Sequence, residues 1–327
     1  MEDVAERAGV SRALVSLVMR DSPKVSEKSR EAVLKAAGQI GYRPNLMARS
    51  LASQRTMTIG LVLNDLHNPF FAELADGVHN AAVDAGYRVV INSGFGTAEG
   101  ESGAAATFLE YRVDGLIMAG PVLSDSQIEN IGDETRLVLI AREIPMRTAD
   151  MVTNDDAVGA QLAIDHLVSL GHTEIAHVDG GVGAGAAGRR AGYVQAMKAH
   201  GLDRSVRIVP GDFTESSGAA AIDRLIGHDS PPSAIFVAND LSATGALHRL
   251  EQLGLSLPED ISLVGYDNTA LAALGHIALT TVNQPRELMG GLAVKMLTDR
   301  IESGGEAGTH EVIAPTLVVR STTGPAR

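Results

Sequence analysis

The chain has no cysteine among its 327 residues. That excludes disulfides, thiolate metal sites and cysteine nucleophiles, and it fits a reducing compartment. Aromatic residues are scarce, five Tyr and six Phe, so a cluster of them would carry information. No apolar run approaches the roughly 20 residues needed to span a bilayer. The opening MEDVAERAGVS is charged and amphipathic, unlike a secretory signal. These absences predict a soluble, cytoplasmic protein with no membrane attachment. The ten histidines form neither an H-x-x-x-H nor an HExxH pattern, and no acidic repeat suggests calcium. No Ser/His/Asp set is proposed by spacing. The expectation is therefore no metal, no cofactor and no catalysis.

What is present is an uneven charge. Residues 1–56 hold ten Lys and Arg against six Asp and Glu, a balance of +4 in a chain of net charge −13, so the remainder carries −17. A small basic head on a large acidic body suggests that only the head approaches a polyanion. The plainer explanation of so modest an excess is a solvated helical surface. The length is a prior for two or three domains.

The head has a finer pattern. Val4, Ala5 and Ala8 share one helical face, and Gly9 breaks that helix. Ser11 offers an N-cap to a second helix with Leu14, Val15 and Val18 at core-facing spacing. Ser26 caps a third, whose expected inner face is Val33, Leu34, Ala37 and Ile40, with Gly41 at its end. Three short helices, the first two joined by a tight glycine turn, predict a helix-turn-helix. The start of the second helix then meets base edges in the major groove, which selects Ser11, Arg12 and Ala13, and Ser16 a turn later. Arg12 has the fork to bond guanine bidentately, and Ala13 can touch a thymine methyl. Pro44 disfavours helix at Arg43 and marks a boundary. Asn45 to Ala52 could form only about two turns, too short to be stable alone in water.

From Thr58 onward, apolar runs such as IGLVL, GLIMAG, LVLIA, AIFVA and SLVGYD alternate with helical patterns, among them 71–85, 155–170, 188–200, 216–227 and 240–253. This alternation predicts an α/β body of parallel sheets covered by helices on both faces. Its size predicts two lobes divided near 160. Ligands of such sheets sit beyond the carboxyl ends of the strands. Asp65, Arg142, Asn239 and Asp267 follow predicted strands, and a carboxylate facing an arginine across a cleft suits a vicinal diol.

Several segments resemble the lactose-repressor (LacI/GalR) family of bacterial transcription regulators. They are DVAERAGVS, YRPNLMARSLASQRT (42–56), NPFFAEL (68–74), VDGLIM (113–118), HLVSLGHTEIAHV (166–178), RRAGYVQAM (189–197), AIFVANDLSATGAL (234–247), PEDISLVGYDN (258–268) and LTTVNQP (279–285). The ordered set covers nearly the whole chain. The resemblance implies a helix-turn-helix head over 1–43, a hinge helix and linker over 44–57, and a periplasmic-binding-protein-like body over 58–327. It places lobe 1 at about 58–159 and 285–312, and lobe 2 at about 160–281 and 313–327. It further implies that paired hinge helices enter the minor groove with Leu51 as wedge and Ala48 on the same face, and that Asn45 and Arg49 face DNA. Family effector residues fall on Arg189, Asn239 and Asp267, with Phe213 as a platform and Phe70 and Phe71 from the first lobe. The function so implied is a DNA-binding regulator, in this family usually a repressor. Its partners would be double-stranded operator DNA, a small-molecule effector (by family default a sugar) and a second copy of the chain. The helices at 71–85 and 240–253 are the expected dimer contacts. No trailing leucine heptads follow RSTTGPAR, so a homodimer is expected.

Three departures qualify the match. Leu17 replaces a commonly DNA-facing arginine, with Arg20 as the candidate to recover a phosphate contact. The Thr that caps helix 1 in the family is missing, and Ala141 stands where several relatives carry Asp. Two rival readings remain: a solute receptor built on the same body, and an NAD-dependent oxidoreductase suggested by Gly183-Ala-Gly185-Ala-Ala-Gly188. Asp179 to Val182 separate that motif from its strand, which argues against the second.

Overall fold

A computed structural model of the chain describes residues 1–19, 22–42, 55–145, 147–227, 230–305 and 308–327. The expected DNA contacts Arg20, Asn45, Ala48, Arg49 and Leu51 lie outside the described residues. The chain divides into two units, Met1–Thr56 and Met57–Arg327.

In the first unit, α1 (Glu2–Ala8) ends at Gly9, whose φ of 66° is the left-handed conformation that glycine adopts without a Cβ clash. Met1 gives α1 no side-chain cap. α2 (Arg12–Met19) opens under Ser11, whose Oγ accepts the Leu14 amide at 3.2 Å. α3 (Glu27–Gln39) opens under Ser26, which accepts the Ser29 amide. Val4, Val15, Val18, Val25, Val33, Ala36 and Ala37 form the core. Two residues expected inside are not. Leu34 is 52% and Ile40 38% exposed, because the buried stripe of α3 runs from Val33 through Ala36 and Ala37, and Leu34 lies about 100° round the helix from it.

The second unit alternates strands and helices. Its elements are β1 (Thr58–Leu63), α4 (Pro69–Asp84), β2 (Arg88–Ser93), α5 (Ala98–Glu110), β3 (Gly115–Ala119), α6 (Asp125–Glu134), β4 (Leu137–Ile140) and β5 (Ala149–Asn154), then α7 (Asp156–Ser169), β6 (Ile175–Val178), α8 (Ala186–Ala199), β7 (Arg207–Val209), α9 (Glu215–Ile226), β8 (Ala234–Val237), α10 (Asp240–Gln252), β9 (Ser262–Asp267), α11 (Ala270–Ala273), β10 (Thr280–Asn283), α12 (Arg286–Ser303), β11 (His310–Ile313) and β12 (Thr316–Val318). One six-stranded sheet has the order β11-β5-β4-β3-β1-β2 and is parallel throughout. The other has the order β12-β10-β9-β8-β6-β7, with β12 antiparallel to β10. The chain passes from one sheet's lobe to the other between β5 and α7, between β10 and α12, and between β11 and β12.

The central strands β3, β4 and β8 are buried at every position, as strands covered on both faces should be. β5 is equally buried, although its sequence ADMVTN is not an apolar run. Its Asp150 carboxylate is satisfied by the amides of Gly308 and Thr309 and lies 3.7 Å from Arg300. Helices pack closely where glycines permit. A Cβ on Gly218 of α9 would lie 1.9 Å from the Ser242 carbonyl, and one on Gly245 of α10 1.9 Å from the Glu215 carbonyl. Gly245→Ala should therefore force α9 and α10 apart, lowering stability by about 1–3 kcal/mol, measured as the urea midpoint of the folded chain.

Candidate functional site

The carboxyl ends of both sheets converge on a cavity of about 500 Å³ between the lobes, within the usual range for small-molecule sites. The first lobe contributes Asp65 after β1 and the two rings that open α4. Asn68 caps that helix through Phe70 N, and Pro69 occupies its first turn. This local chemistry sets Phe70 and Phe71 edge to face, with centroids 5.2 Å apart. A Cβ at Gly120 would lie 2.9 Å from the Phe71 ring. In the second lobe Phe213 is at φ 69°, and its ring lies against Gly180 and Gly183, where a Cβ would come within 2.4 Å. The glycine-rich loop that suggested a dinucleotide enzyme thus accommodates an aromatic ring, and its Gly185 precedes the helix that carries Arg189.

Arg189 is the electrostatic centre. Its Nε donates to Asp156 Oδ1 at 2.9 Å and its Nη1 to the Ala238 carbonyl, and Nη1 lies 3.9 Å from Asp267 Oδ1. The guanidinium carbon lies 3.8 Å from the Tyr266 ring centroid and 5.5 Å from that of Phe213, both within cation–π range. Burial disfavours its charge, yet Asp156 and Asp267 hold its pKa above the ordinary arginine value. Asp267 is 3% exposed and accepts Gln284 Nε2 at 2.6 Å. Burial pushes its carboxyl up to about 8; Arg189 pulls it down and the nearby Asp240 raises it. Asn239 caps α10 through Ser242 N and donates to the Phe213 carbonyl, so its amide positions the aromatic platform while also lining the cavity.

Asp65, Phe70, Phe71, Arg189, Phe213, Asn239 and Asp267 line one cavity. Asp65 also accepts the backbone amide and Nδ1 of His67 within its own turn. Arg142 is set apart from these residues: it lines an adjoining cavity of about 490 Å³ that shares Ala141, Val182, Gly183 and Ala184 with the first, and it pairs with Asp125 Oδ1 at 2.9 Å. Ala141, at φ 60°, turns the chain just after β4, and the first residue of α6 captures the arginine that follows. Two contributors were not anticipated. Gln284 belongs to the LTTVNQP motif, which could have singled it out. Glu101 left no signal: it is fully buried, accepts Asn64 Nδ2 and the amides of Val122 and Leu123, and so fixes the first lobe's wall. Burial raises its pKa, against those hydrogen bonds.

In the first unit, Ser11, Arg12 and Ala13 are exposed at the start of α2, and Ser16 is half-buried. Arg12 reaches Glu2 at 3.4 Å, with both side chains mostly exposed. Such a pair contributes little and would not hold Arg12 back from a phosphate or a base.

Residues 1–45 match the bacterial regulatory proteins of the lacI family, and residues 164–323 match the periplasmic binding protein-like domain. The chain is 34% identical to the HTH-type transcriptional repressor PurR of Erwinia tasmaniensis over 98% of its own length and 95% of that protein. Among solved structures, it resembles the Lac repressor dimer bound to operator and the anti-inducer ONPF, with 28% identity, coverage of 98% of both chains and a TM-score of 0.86. It also resembles a complex of the transcriptional regulator CelR with cellobiose, with 31% identity, coverage of 98% of both chains and a TM-score of 0.73.

Proposed function

The chain belongs to the lacI family of bacterial regulatory proteins, and on that premise we propose that it is a repressor that binds operator DNA as a homodimer. A small molecule, a sugar by preference, seated between the lobes controls its grip on DNA. One observation carries the effector reading: Arg189 and Asp267, both buried, line one cavity with four phenylalanines, Phe70, Phe71, Phe95 and Phe213. Ring faces suit the C–H surface of a sugar, and the Arg189, Asp267 and Gln284 groups suit its hydroxyls. The cellobiose in a structural neighbour supports the same class. Residues 1–43 read DNA through Ser11, Arg12, Ala13 and Ser16, with 44–57 as hinge and the remainder as effector and dimer body. For the first-lobe dimer contact, Val83 at the end of α4 and Val90 and Ile91 on the edge strand β2 support the reading, since all three are exposed.

We assign no catalysis, because the relatives named above are regulators, and we place the activity in the cytoplasm, where operator DNA is found. A gel shift on the DNA upstream of the protein's own gene, with and without cellobiose and ribose, tests the reading. Specific binding that a sugar alters supports it, whereas sugar binding without DNA binding would favour a solute receptor. Arg12→Ala should lose about 1–3 kcal/mol of discrimination for the specific site, with a smaller loss on random DNA. Equal losses would remove Arg12 from base reading.

A further inference from the structure

The backbone that presents Asp267 is unusual. Asp267 has φ 116° and Asn268 φ 55°, a region that non-glycine residues enter only when their surroundings hold them there. The hydrogen bonds of this turn show what holds it. Arg286 donates from Nη1 to the carbonyls of Asp267 and Gln284, and from Nη2 to that of Asn268 at 2.7 Å. Its Nε donates to Glu73 Oε2 at 2.9 Å, and the other Glu73 oxygen accepts the Ala270 amide at 2.8 Å. The Thr269 amide goes to Asp240 at 2.7 Å.

The origin of these groups matters. The turn follows β9 and Asp240 opens α10, so both belong to the second lobe. Glu73 lies on α4 in the first lobe. Arg286 opens α12, which packs on α4 so closely that a Cβ on Gly77 would lie 2.7 Å from Glu287 Cα. Glu73 and Arg286 are thus a rigid pair on the first lobe, and they hold backbone groups of Asp267, Asn268, Ala270 and Gln284. The Arg286 side chain is 12% exposed and that of Glu73 29%, which shields the pair from water. The planar guanidinium fork can serve several carbonyls and a carboxylate at once, as a lysine ammonium cannot.

We propose that Glu73 and Arg286 are positioning residues for Asp267, through which the first lobe holds the strained 267–270 turn of the second. A change in the relation of the lobes that separates this pair from the turn must break these bonds and free the carboxylate's backbone. Conversely, a ligand that holds Asp267 in place favours the latched arrangement. That consequence rests on Asp267 being an effector residue; the latch itself does not.

The test therefore uses the full-length, ligand-free protein. Because the chain has no cysteine, Ser126→Cys and Ser216→Cys place one spin label at the start of α6 and one at the start of α9, on opposite lobes. Glu73→Ala and Arg286→Lys should each broaden and lengthen the interlobe distance distribution relative to the labelled parent. In unlabelled Glu73→Ala, exchange of the Ala270 amide should rise at least about tenfold, as expected for losing one charge-assisted hydrogen bond. Loss of stability alone would lower the melting temperature without moving the distance. If Glu73→Ala fails to fold, Glu73→Gln serves, since it keeps an acceptor for Ala270 but loses the charge that faces Arg286. A folded variant with unchanged distance and unchanged exchange overturns the latch. The effector assignment is read separately in unlabelled protein: a sugar-induced thermal shift that survives Asp267→Asn would refute that assignment and leave the latch standing.

Discussion

Arg189→Met is expected to lower the stability of the body by about 3–5 kcal/mol and to abolish its response to any cleft ligand. The magnitude follows from what remains behind: removing one partner of a buried ion pair leaves the other charge in a poor solvent without compensation. Here Asp156 would lose its 2.9 Å donor and the Ala238 carbonyl its hydrogen bond, while Asp267, which burial biases toward the protonated form, would lose a cation 3.9 Å away. The half-buried Asp156 can recover water, and Asp267 can take up a proton, so the lower part of the range is the more reasonable. Arg189→Lys is the informative companion. It keeps the charge, but a point ammonium cannot bridge Asp156 and Ala238 while lying flat on Tyr266. It should recover part of the stability and none of the ligand response. Urea midpoints and ligand-induced thermal shifts, measured side by side, separate the two effects.

Asp267→Asn should alter the pH dependence of stability in a direction opposite to that of most acidic residues. Burial raises this carboxyl from an ordinary 3.8 to about 8, so the folded state favours the protonated form. The stability that this preference contributes is fully present below about pH 4 and is lost as pH rises through about 8. An amide has the shape of the protonated acid and does not titrate. The wild type should therefore lose stability steadily across that interval, and Asp267→Asn should lose less. Asp240, which burial also raises, interacts with Asp267, so the difference between the two curves reports the titration of the coupled pair. Parallel curves would mean that Asp267 is ionised throughout.

Much of this architecture was legible because the relevant signals are local. Ser11 and Ser26 cap the helices they were expected to cap, and Gly9 takes the left-handed turn. The apolar runs that became β1, β3, β4, β8 and β9 are continuous because those strands are covered on both faces. β5, β10 and β11 were less visible, since they carry Asp150, Thr280 and His310 and are recognised only through partners distant in sequence. Leu34 and Ile40 misled because a hydrophobic residue beside a buried stripe looks like part of it.

In the cavity, Asp65, Asn239 and Asp267 were readable from their position at strand ends, whereas Phe70, Phe71, Arg189 and Phe213 came through the family resemblance. The pairing of Arg142 was not readable, because its direction depends on the positive φ of Ala141 and on a competing carboxylate at the start of a separate helix. The Glu73–Arg286 pair spans more than two hundred residues of sequence, and no periodicity links its members. Such contacts exist only once two lobes have met.

In the proposed function, occupancy of the cleft around Asp267 governs the grip on DNA. The most direct test titrates labelled upstream DNA with wild-type protein and with Asp267→Asn, each with and without cellobiose and ribose, following anisotropy. Without sugar, both proteins should bind DNA with equal affinity. With the active sugar, the affinity of the wild type should change by roughly 5–150-fold and that of the variant should stay put. A sugar-dependent change that persists undiminished in Asp267→Asn would contradict it.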